Sequence, residues 1–219
     1  MKNTIKYLIL LIIYLVCGVN LQAQNYTFRN VVMSDGLSGL LVNAIYKDSE
    51  GFVWLGTDNC LDRFDGVKVR HYEFRGVDSG RKKRVNCITE TADNQLWVGN
   101  GIGLWRLNRA NGQLERIVPE KIDFAVNTLL PDGDILYIGT EKGLFIQKDG
   151  QLLQVLTDRN MLAACNRIMD LCLNEDKSAL WLATVQGATR SRMSTHLLRG
   201  DMRKVRSELP PQWIPEVFF

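Results

Sequence analysis

A sequence unit occurs four times in this 219-residue chain, at a period near 40 residues. Each copy has an aromatic anchor inside an apolar run. The anchors Trp54, Trp97, Tyr137 and Trp181 are 43, 40 and 44 residues apart. In every copy an apolar run such as VNAIY begins 11 to 13 residues before the anchor. Self-similarity at this period, with several short strands per unit, is typical of a β-propeller.

Each unit predicts four short strands, so the fold class is all-β with almost no helix. A first apolar strand is followed by a turn rich in Asp, Asn and Gly, and then by the strand that carries the anchor. An alternating strand such as LDRF and a variable fourth strand complete the unit. The units lie near 42–84, 85–125, 126–167 and 168–213. We expect about four blades, forming an incomplete part of a larger propeller of seven blades.

The last residues, 214–219, resemble the start of a fifth unit. The repeat spacing places the next anchor just beyond Phe219, so this segment would be the innermost strand of a truncated blade. We therefore expect a fragment of a longer propeller, with a closed four-bladed disc as the alternative. An open sheet edge favours pairing between chains, so a homodimer is a further expectation.

The repeated aromatic residues and glycines are interpreted as structural. Aromatic anchors should pack between adjacent blades, because a single sheet cannot bury both of its faces alone. The second strand of the first three copies also repeats a glycine two residues after the anchor, at Gly56, Gly99 and Gly139.

A second glycine position lies in the turn after the anchor strand. Copies two to four have Gly103, Gly143 and Gly187 there, which predicts a positive φ angle. The first copy has Cys60 instead. We expect its turn to be of a different type, with strain as the alternative.

Trp105 is the candidate ligand-binding residue. The other copies have Asp62, Phe145 and Thr189 at this position, so the repeat itself does not require a tryptophan. An exposed indole ring could stack on a sugar.

The first 23 residues predict a secretory signal peptide. Lys2 and Lys6 precede an apolar run at 7–19, and Ala23 stands at a cleavage position. The run is shorter than the roughly 20 residues that span a bilayer, which argues against a retained anchor. A lipoprotein attached at Cys17 is also disfavoured. The mature chain, 24–219, is expected in the periplasm.

The charge of the chain argues against binding to nucleic acid. The formal net charge is +3, and loss of Lys2 and Lys6 with the signal peptide leaves about +1. This is too little for a general basic field. The basic run RKKR at 81–84 is interpreted as a solvated loop, with an anion site as the alternative.

The sequence predicts no catalytic residues, no metal site and no cofactor. Its most conspicuous carboxylates lie in turns, where aspartate is favoured for local hydrogen bonding. His71 and His196 lack ligand spacing, and there is no C-x-x-C motif. Four cysteines remain after signal cleavage, at positions 60, 87, 165 and 172. Cys87 and Cys172 lie in apolar runs and are expected to be buried thiols.

The unit pattern V-N-x-I-x-x-D-x-x-G-x-x-W-L-G-T, preceded by SDGLS at 34–38, resembles the two-component regulator propeller repeat. The resemblance covers residues 26–193 and is weakest in the fourth copy, where Ala183 replaces the glycine. It implies the N-terminal periplasmic sensor portion of a Bacteroidetes hybrid two-component system. In that family, propellers precede a membrane span and a histidine kinase, and the sensors detect oligosaccharides to control glycan-utilisation genes.

The resemblance therefore implies a sensory binding module without kinase output of its own. Its expected partners are an oligosaccharide and the remaining propeller and kinase portions of a parent regulator. One alternative is a stand-alone secreted propeller that acts as a protein-interaction scaffold. A propeller glycan hydrolase or lyase is the less favoured alternative.

Overall fold

The computed structural model describes residues 4–7, 28–77, 83–117, 122–155, 167–192 and 216–217. Contacts divide the chain into two compact units, Met1–Val31 and Val32–Phe219. Residues 4–7 are helical, and a 3₁₀ helix spans Met33–Asp35. Within the described ranges, no helix has both the length and the apolar character that crossing a membrane requires. Most of the predicted signal peptide lies outside these ranges and stays a prediction.

Within the described residues, sixteen strands form four antiparallel sheets, each built from four strands in chain order. The first sheet contains β1 (Val42–Lys47), β2 (Val53–Thr57), β3 (Leu61–Phe64) and β4 (Val69–Tyr72). The second contains β5 (Val85–Glu90), β6 (Leu96–Asn100), β7 (Gly103–Asn108) and β8 (Gln113–Ile117). The third contains β9 (Val126–Asp132), β10 (Ile135–Thr140), β11 (Gly143–Lys148) and β12 (Gln151–Gln154). The fourth contains β13 (Ile168–Leu173), β14 (Ala179–Thr184), β15 (Gly187–Arg192) and β16 (Glu216–Val217). The predicted all-β class and blade pattern are confirmed.

The sheets stack in chain order and bury three apolar layers between them. The first strands β1, β5, β9 and β13 lie next to one another in that order. Trp54 is fully buried against the second sheet, Trp97 lies against the third, and Tyr137 lies against the fourth. These three anchors therefore pack between blades, as predicted. Trp181 is 36% exposed, because no further sheet covers this face among the described residues.

The glycine after each anchor allows the next blade to approach closely. A Cβ atom on Gly56 would lie 2.5 Å from Val85 Cγ1, and one on Gly139 would lie 2.7 Å from Ile168 Cγ2. Val85 and Ile168 are the first residues of β5 and β13. In the fourth blade the same position is Ala183, which is exposed.

The turn glycines have the predicted backbone conformation. Their φ angles are 148° at Gly103, 114° at Gly143 and 135° at Gly187. Cys60 is not among the described residues with positive φ, so the first copy differs from the others in backbone conformation at this position. The different turn type expected there stays a prediction. In this turn the Thr57 hydroxyl accepts a hydrogen bond from the Cys60 N–H at 3.1 Å and donates one to the Cys60 carbonyl at 2.9 Å.

Two sequence predictions are corrected by the fold. Glu216–Val217 pairs with β15 as the fourth strand of the fourth sheet, so the described part of 214–219 does not begin a fifth blade. A short strand can satisfy the backbone groups at the β15 edge, which the repeat spacing alone could not foresee. Cys172 is exposed rather than buried, because it lies on the uncovered face of β13. Cys165 lies outside the described residues.

The two outermost sheets keep apolar side chains exposed. Ile45 on the first sheet is 71% exposed, and Trp181 on the fourth is 36% exposed. Both faces are therefore those of an unclosed propeller, in which blades stack without completing a disc.

Candidate ligand-binding site

A β-bulge occurs at the start of the first strand in every blade. The pairing register between the first and second strands skips one residue in each sheet. The skipped residues are Asn43, Asn86, Asn127 and Met169. An unpaired bulge residue can direct its side chain away from its own sheet. The Val-Asn pair occurs at this bulge in the first three copies and Ile-Met in the fourth, and in the sequence analysis the pair served only as part of the unit pattern.

Two of these asparagines connect neighbouring blades. Asn86 Nδ2 donates to the Val126 carbonyl at 2.9 Å, and Asn127 Nδ2 donates to the Ile168 carbonyl at 2.8 Å. The Nδ2 of Asn43 is buried and has no hydrogen-bond partner in the described structure. A buried amide donor without a partner is uncommon and suggests a missing acceptor.

The four bulge residues line one pocket with a volume of about 490 Å³. Its other lining residues are Arg84, Gly101, Ala125, Glu141 and Arg167. Residues 84, 125 and 167 each precede the first strand of a blade, so equivalent positions of successive blades converge on this pocket. We call it the bulge pocket.

The bulge pocket is polar and carries a positive excess. Arg167 Nη2 lies 3.8 Å from Glu141 Oε1, so these two charges offset one another. Arg84 is exposed and has no ion-pair partner in the part of the chain that the structure describes. The pocket can therefore offer amide and guanidinium donors to a ligand rich in oxygen atoms, with one guanidinium free for an acidic group. Of the basic run at 81–84, Arg84 is the residue that reaches the pocket, while 81 and 82 lie outside the described residues.

A second pocket of about 330 Å³ lies between the first two sheets. Arg63, Arg70 and Arg109 line it. The Arg63 guanidinium lies 4.2 Å from the centre of the Phe52 ring, and Arg109 pairs with Glu50 and Glu90 at 2.9 Å. The Arg70 guanidinium lies 5.3 Å from the centre of the Tyr72 ring. All three arginines therefore already have protein partners, so this pocket is the weaker candidate.

Trp105 cannot stack on a ligand, which corrects the sequence prediction. The side chain is 1% exposed, and its Nε1 donates to Asn100 Oδ1 at 3.2 Å. Its ring packs edge-on against Phe74 with centroids 5.0 Å apart. The repeat showed that a tryptophan is not required at this position, but it could not show that the neighbouring blade covers it.

The stacked four-stranded sheets and recurring bulges define the class of this protein as a β-propeller repeat protein. Residues 36–59 match the family model described as two component regulator propeller. The match begins within the SDGLS segment and includes the first two strands of the first blade. The resemblance to the two-component regulator propeller repeat is confirmed.

Proteins to which the chain is similar include a histidine kinase and the extracellular domain of a hybrid two component system. The chain is 32% identical over 79 residues to histidine kinase P4 of Formosa agariphila, covering 36% of this chain and 6% of that protein. The extracellular domain of a hybrid two component system from B. thetaiotaomicron is 27% identical with a TM-score of 0.58. That match covers 70% of this chain and 21% of the solved chain. A further structure of that system, described as a one component system, has a TM-score of 0.65 at 22% identity and covers 80% and 24% of the two chains. The chain thus spans only a small part of each relative.

Proposed function

We propose that this chain is a periplasmic sensory propeller of a two-component regulator and that it binds an oligosaccharide in the bulge pocket. Signal output would come from kinase portions of a longer parent regulator, and the response would be expression of glycan-utilisation genes. The family of the repeat supports the sensory role.

The observation that carries the ligand proposal is the unpartnered amide of Asn43. Its equivalents in the next two blades each bond a backbone carbonyl, whereas the buried Asn43 Nδ2 has no hydrogen-bond partner in the described structure. A sugar hydroxyl or carboxylate at this place would accept that hydrogen bond. The free guanidinium of Arg84 favours a sugar that carries an acidic group, because charge-assisted bonds are the stronger ones.

The binding test uses a panel of neutral, uronate-containing and sulfated oligosaccharides. We expect binding to acidic members, weakened at least about 10-fold in Asn43→Ala and Arg84→Ala, since one charged hydrogen bond is worth about 1.5–3 kcal/mol. Arg106→Ala is the matched control, because Arg106 forms an exposed pair with Glu115 away from the pocket. A folded chain that binds no member, or variants that bind like the parent, would overturn the proposal.

A scaffold that binds protein partners is the second candidate function. The exposed Ile45 and Trp181 on the two outer sheets favour it, because apolar faces of this kind mark interaction surfaces. Self-association through these faces would also account for the expected homodimer. Light scattering of the purified chain distinguishes the cases: a monomer at micromolar concentration would argue against self-association. A hydrolase or lyase is less favoured, since Glu141 is the one carboxylate among the residues that line the bulge pocket.

A further inference from the structure

Cys60, Asp62 and His71 come together on the outer side of the first sheet. Cys60 directly precedes β3 and Asp62 is the second residue of that strand, and the side chains of the two residues lie 3.2 Å apart. Asp62 on β3 and His71 on β4 are directly paired residues in neighbouring strands. One potential ligand atom from each residue lies within 4.8 Å of the other two.

Asp62 is the centre of this cluster. Its Oδ1 lies 2.7 Å from His71 Nδ1 and 3.2 Å from Cys60 Sγ. Its Oδ2 accepts hydrogen bonds from the backbone N–H and the hydroxyl of Ser38, both at 2.8 Å. One carboxylate oxygen is thus held in place by Ser38, while the other faces a thiol and an imidazole.

The cluster consists of departures from the repeat. Copies two to four have glycine where the first has Cys60, and copies two and three have Trp105 and Phe145 where the first has Asp62. The strand partners of Trp105 and Phe145 are Arg116 and Gln154, where the first blade has His71. The Asp62 side chain is fully buried. Burying a carboxylate costs free energy unless charged groups compensate it, whereas an aromatic side chain at this position costs nothing of that kind.

We propose that Cys60, Asp62 and His71 form a binding site for a divalent transition-metal ion, with Zn²⁺ the best match to the ligand set. Thiolate, imidazole and carboxylate are the three ligand types that zinc sites in proteins use. The Cys60 thiol loses its proton when the ion binds, since thiolate is the ligating form. The two Ser38 bonds to Oδ2 fix the orientation of the carboxylate, as outer hydrogen bonds do in metal sites.

Binding of an ion requires the three ligand atoms, which lie within 4.8 Å of one another, to adjust their separations. Tetrahedral zinc with ordinary bond lengths separates its ligand atoms by about 3.4–3.6 Å. The His71 side chain is 47% exposed and can move outward to widen its 2.7 Å separation from Asp62. Three protein ligands leave the fourth position for water or an external ligand, as in zinc sites that are not purely structural.

Sequence reasoning predicted no metal here because it looked for closely spaced histidines and cysteines. The ligands are instead brought together by the start of β3 and by the β3–β4 hairpin. The informative signal was Cys60 immediately before β3, Asp62 on that strand and a histidine at the paired position of β4.

The test is titration of the chelator-stripped chain, with its thiols reduced, by Zn²⁺ and by Co²⁺. We expect one Zn²⁺ per chain by calorimetry, and a thiolate-to-cobalt charge-transfer absorption with Co²⁺ that identifies a sulfur ligand. Cys60→Ser and His71→Gln should each weaken binding at least about 10-fold, and Ser38→Ala should weaken it about 10- to 100-fold. His71→Gln changes a half-exposed side chain, so it tests the site even if Asp62→Asn does not fold.

Cys172→Ser is the matched control, because it removes an exposed thiol outside the cluster. It should keep the stoichiometry, the affinity and the cobalt absorption of the parent chain. The proposal is overturned if the parent binds no Zn²⁺, or if folded Cys60→Ser and His71→Gln bind it as tightly as the parent. It is equally overturned if Cys172→Ser abolishes the cobalt absorption.

Discussion

The indole Nε1 of Trp54 donates a 2.7 Å hydrogen bond to Asp48 Oδ2 in the interior between the first two sheets. The other oxygen of Asp48 accepts the Phe52 N–H at 2.8 Å, and the residue is 4% exposed. In the second blade the equivalent bond runs from Trp97 Nε1 to Thr91 Oγ1 at 3.1 Å. In two blades, therefore, the residue six positions before the anchor accepts the hydrogen bond of the anchor's buried indole N–H.

Replacing Asp48 should strongly destabilise the fold. Asp48→Ala leaves the Trp54 indole and the Phe52 N–H without partners in a buried place, which we expect to cost about 2–3 kcal/mol. Urea-induced unfolding measures this change. Asp65→Ala is the control, because the bonds of Asp65 to Val67 and Lys68 lie in an exposed turn, and its effect should be smaller. Equal losses in the two variants would contradict a special role for Asp48.

In the third blade, removal of the anchor's polar group should not destabilise the fold. Residue 131 is Pro, which offers no side-chain acceptor, and the buried Tyr137 hydroxyl has no partner in the described structure. Burial raises the pKa of Tyr137 well above its usual value. Tyr137→Phe removes an unsatisfied group and should leave stability unchanged or raise it by up to about 1 kcal/mol. A clear loss of stability in thermal unfolding would mean that the hydroxyl has an undetected partner.

Because neighbouring blades are in close contact at Gly56, we expect that a larger side chain there will destabilise the fold. In Gly56→Ala the new methyl group would lie 2.5 Å from Val85 Cγ1, and overpacking of this kind costs about 1–3 kcal/mol. Denaturant unfolding with an unchanged m-value would show a loss of packing. The reverse change at the equivalent uncovered position, Ala183→Gly, should cost less than about 1 kcal/mol. Tolerance of Gly56→Ala would show that the blades are less tightly packed than described.

Thiol reactivity should distinguish Cys172 from Cys87. Burial raises the pKa of Cys87 to about 12, so at pH 8 this group is a neutral thiol and a poor nucleophile. Cys172 is exposed. Alkylation mapped by mass spectrometry should modify Cys172 on the order of 10-fold faster or more in the folded chain. The Cys87 rate should rise as pH approaches 12 or when the chain unfolds, and equal rates at pH 8 under native conditions would refute the assignment.

The repeat predicted those parts of the fold that each blade specifies within itself. Strand order, the buried anchors Trp54, Trp97 and Tyr137, and the positive φ at the turn glycines all depend on local pattern. Alternation along a strand showed which side chains share a face, but not what covers that face. For this reason the burial of Trp105 and the exposure of Cys172 were predicted wrongly.

The candidate site was harder to predict from the sequence, because its residues are brought together by strand pairing. The bulge that directs Asn43 toward the pocket is a feature of the pairing register between strands, and no single residue type predicts it. The cluster of Cys60, Asp62 and His71 likewise depends on which residues two strands bring opposite one another. The sequence identified Cys60 as an anomaly, whereas its partners required the hairpin.

The inter-blade bonds from Asn86 and Asn127 join residues 40 and 41 positions apart. Each such bond therefore closes a loop of one repeat length, and none of them requires a blade beyond the nearest neighbour. Folding can then proceed along the chain one blade at a time. Each step is complete when the first strand of the next blade packs against the blade before it. Partial unfolding should accordingly begin at a terminal blade and move inward by one repeat at a time.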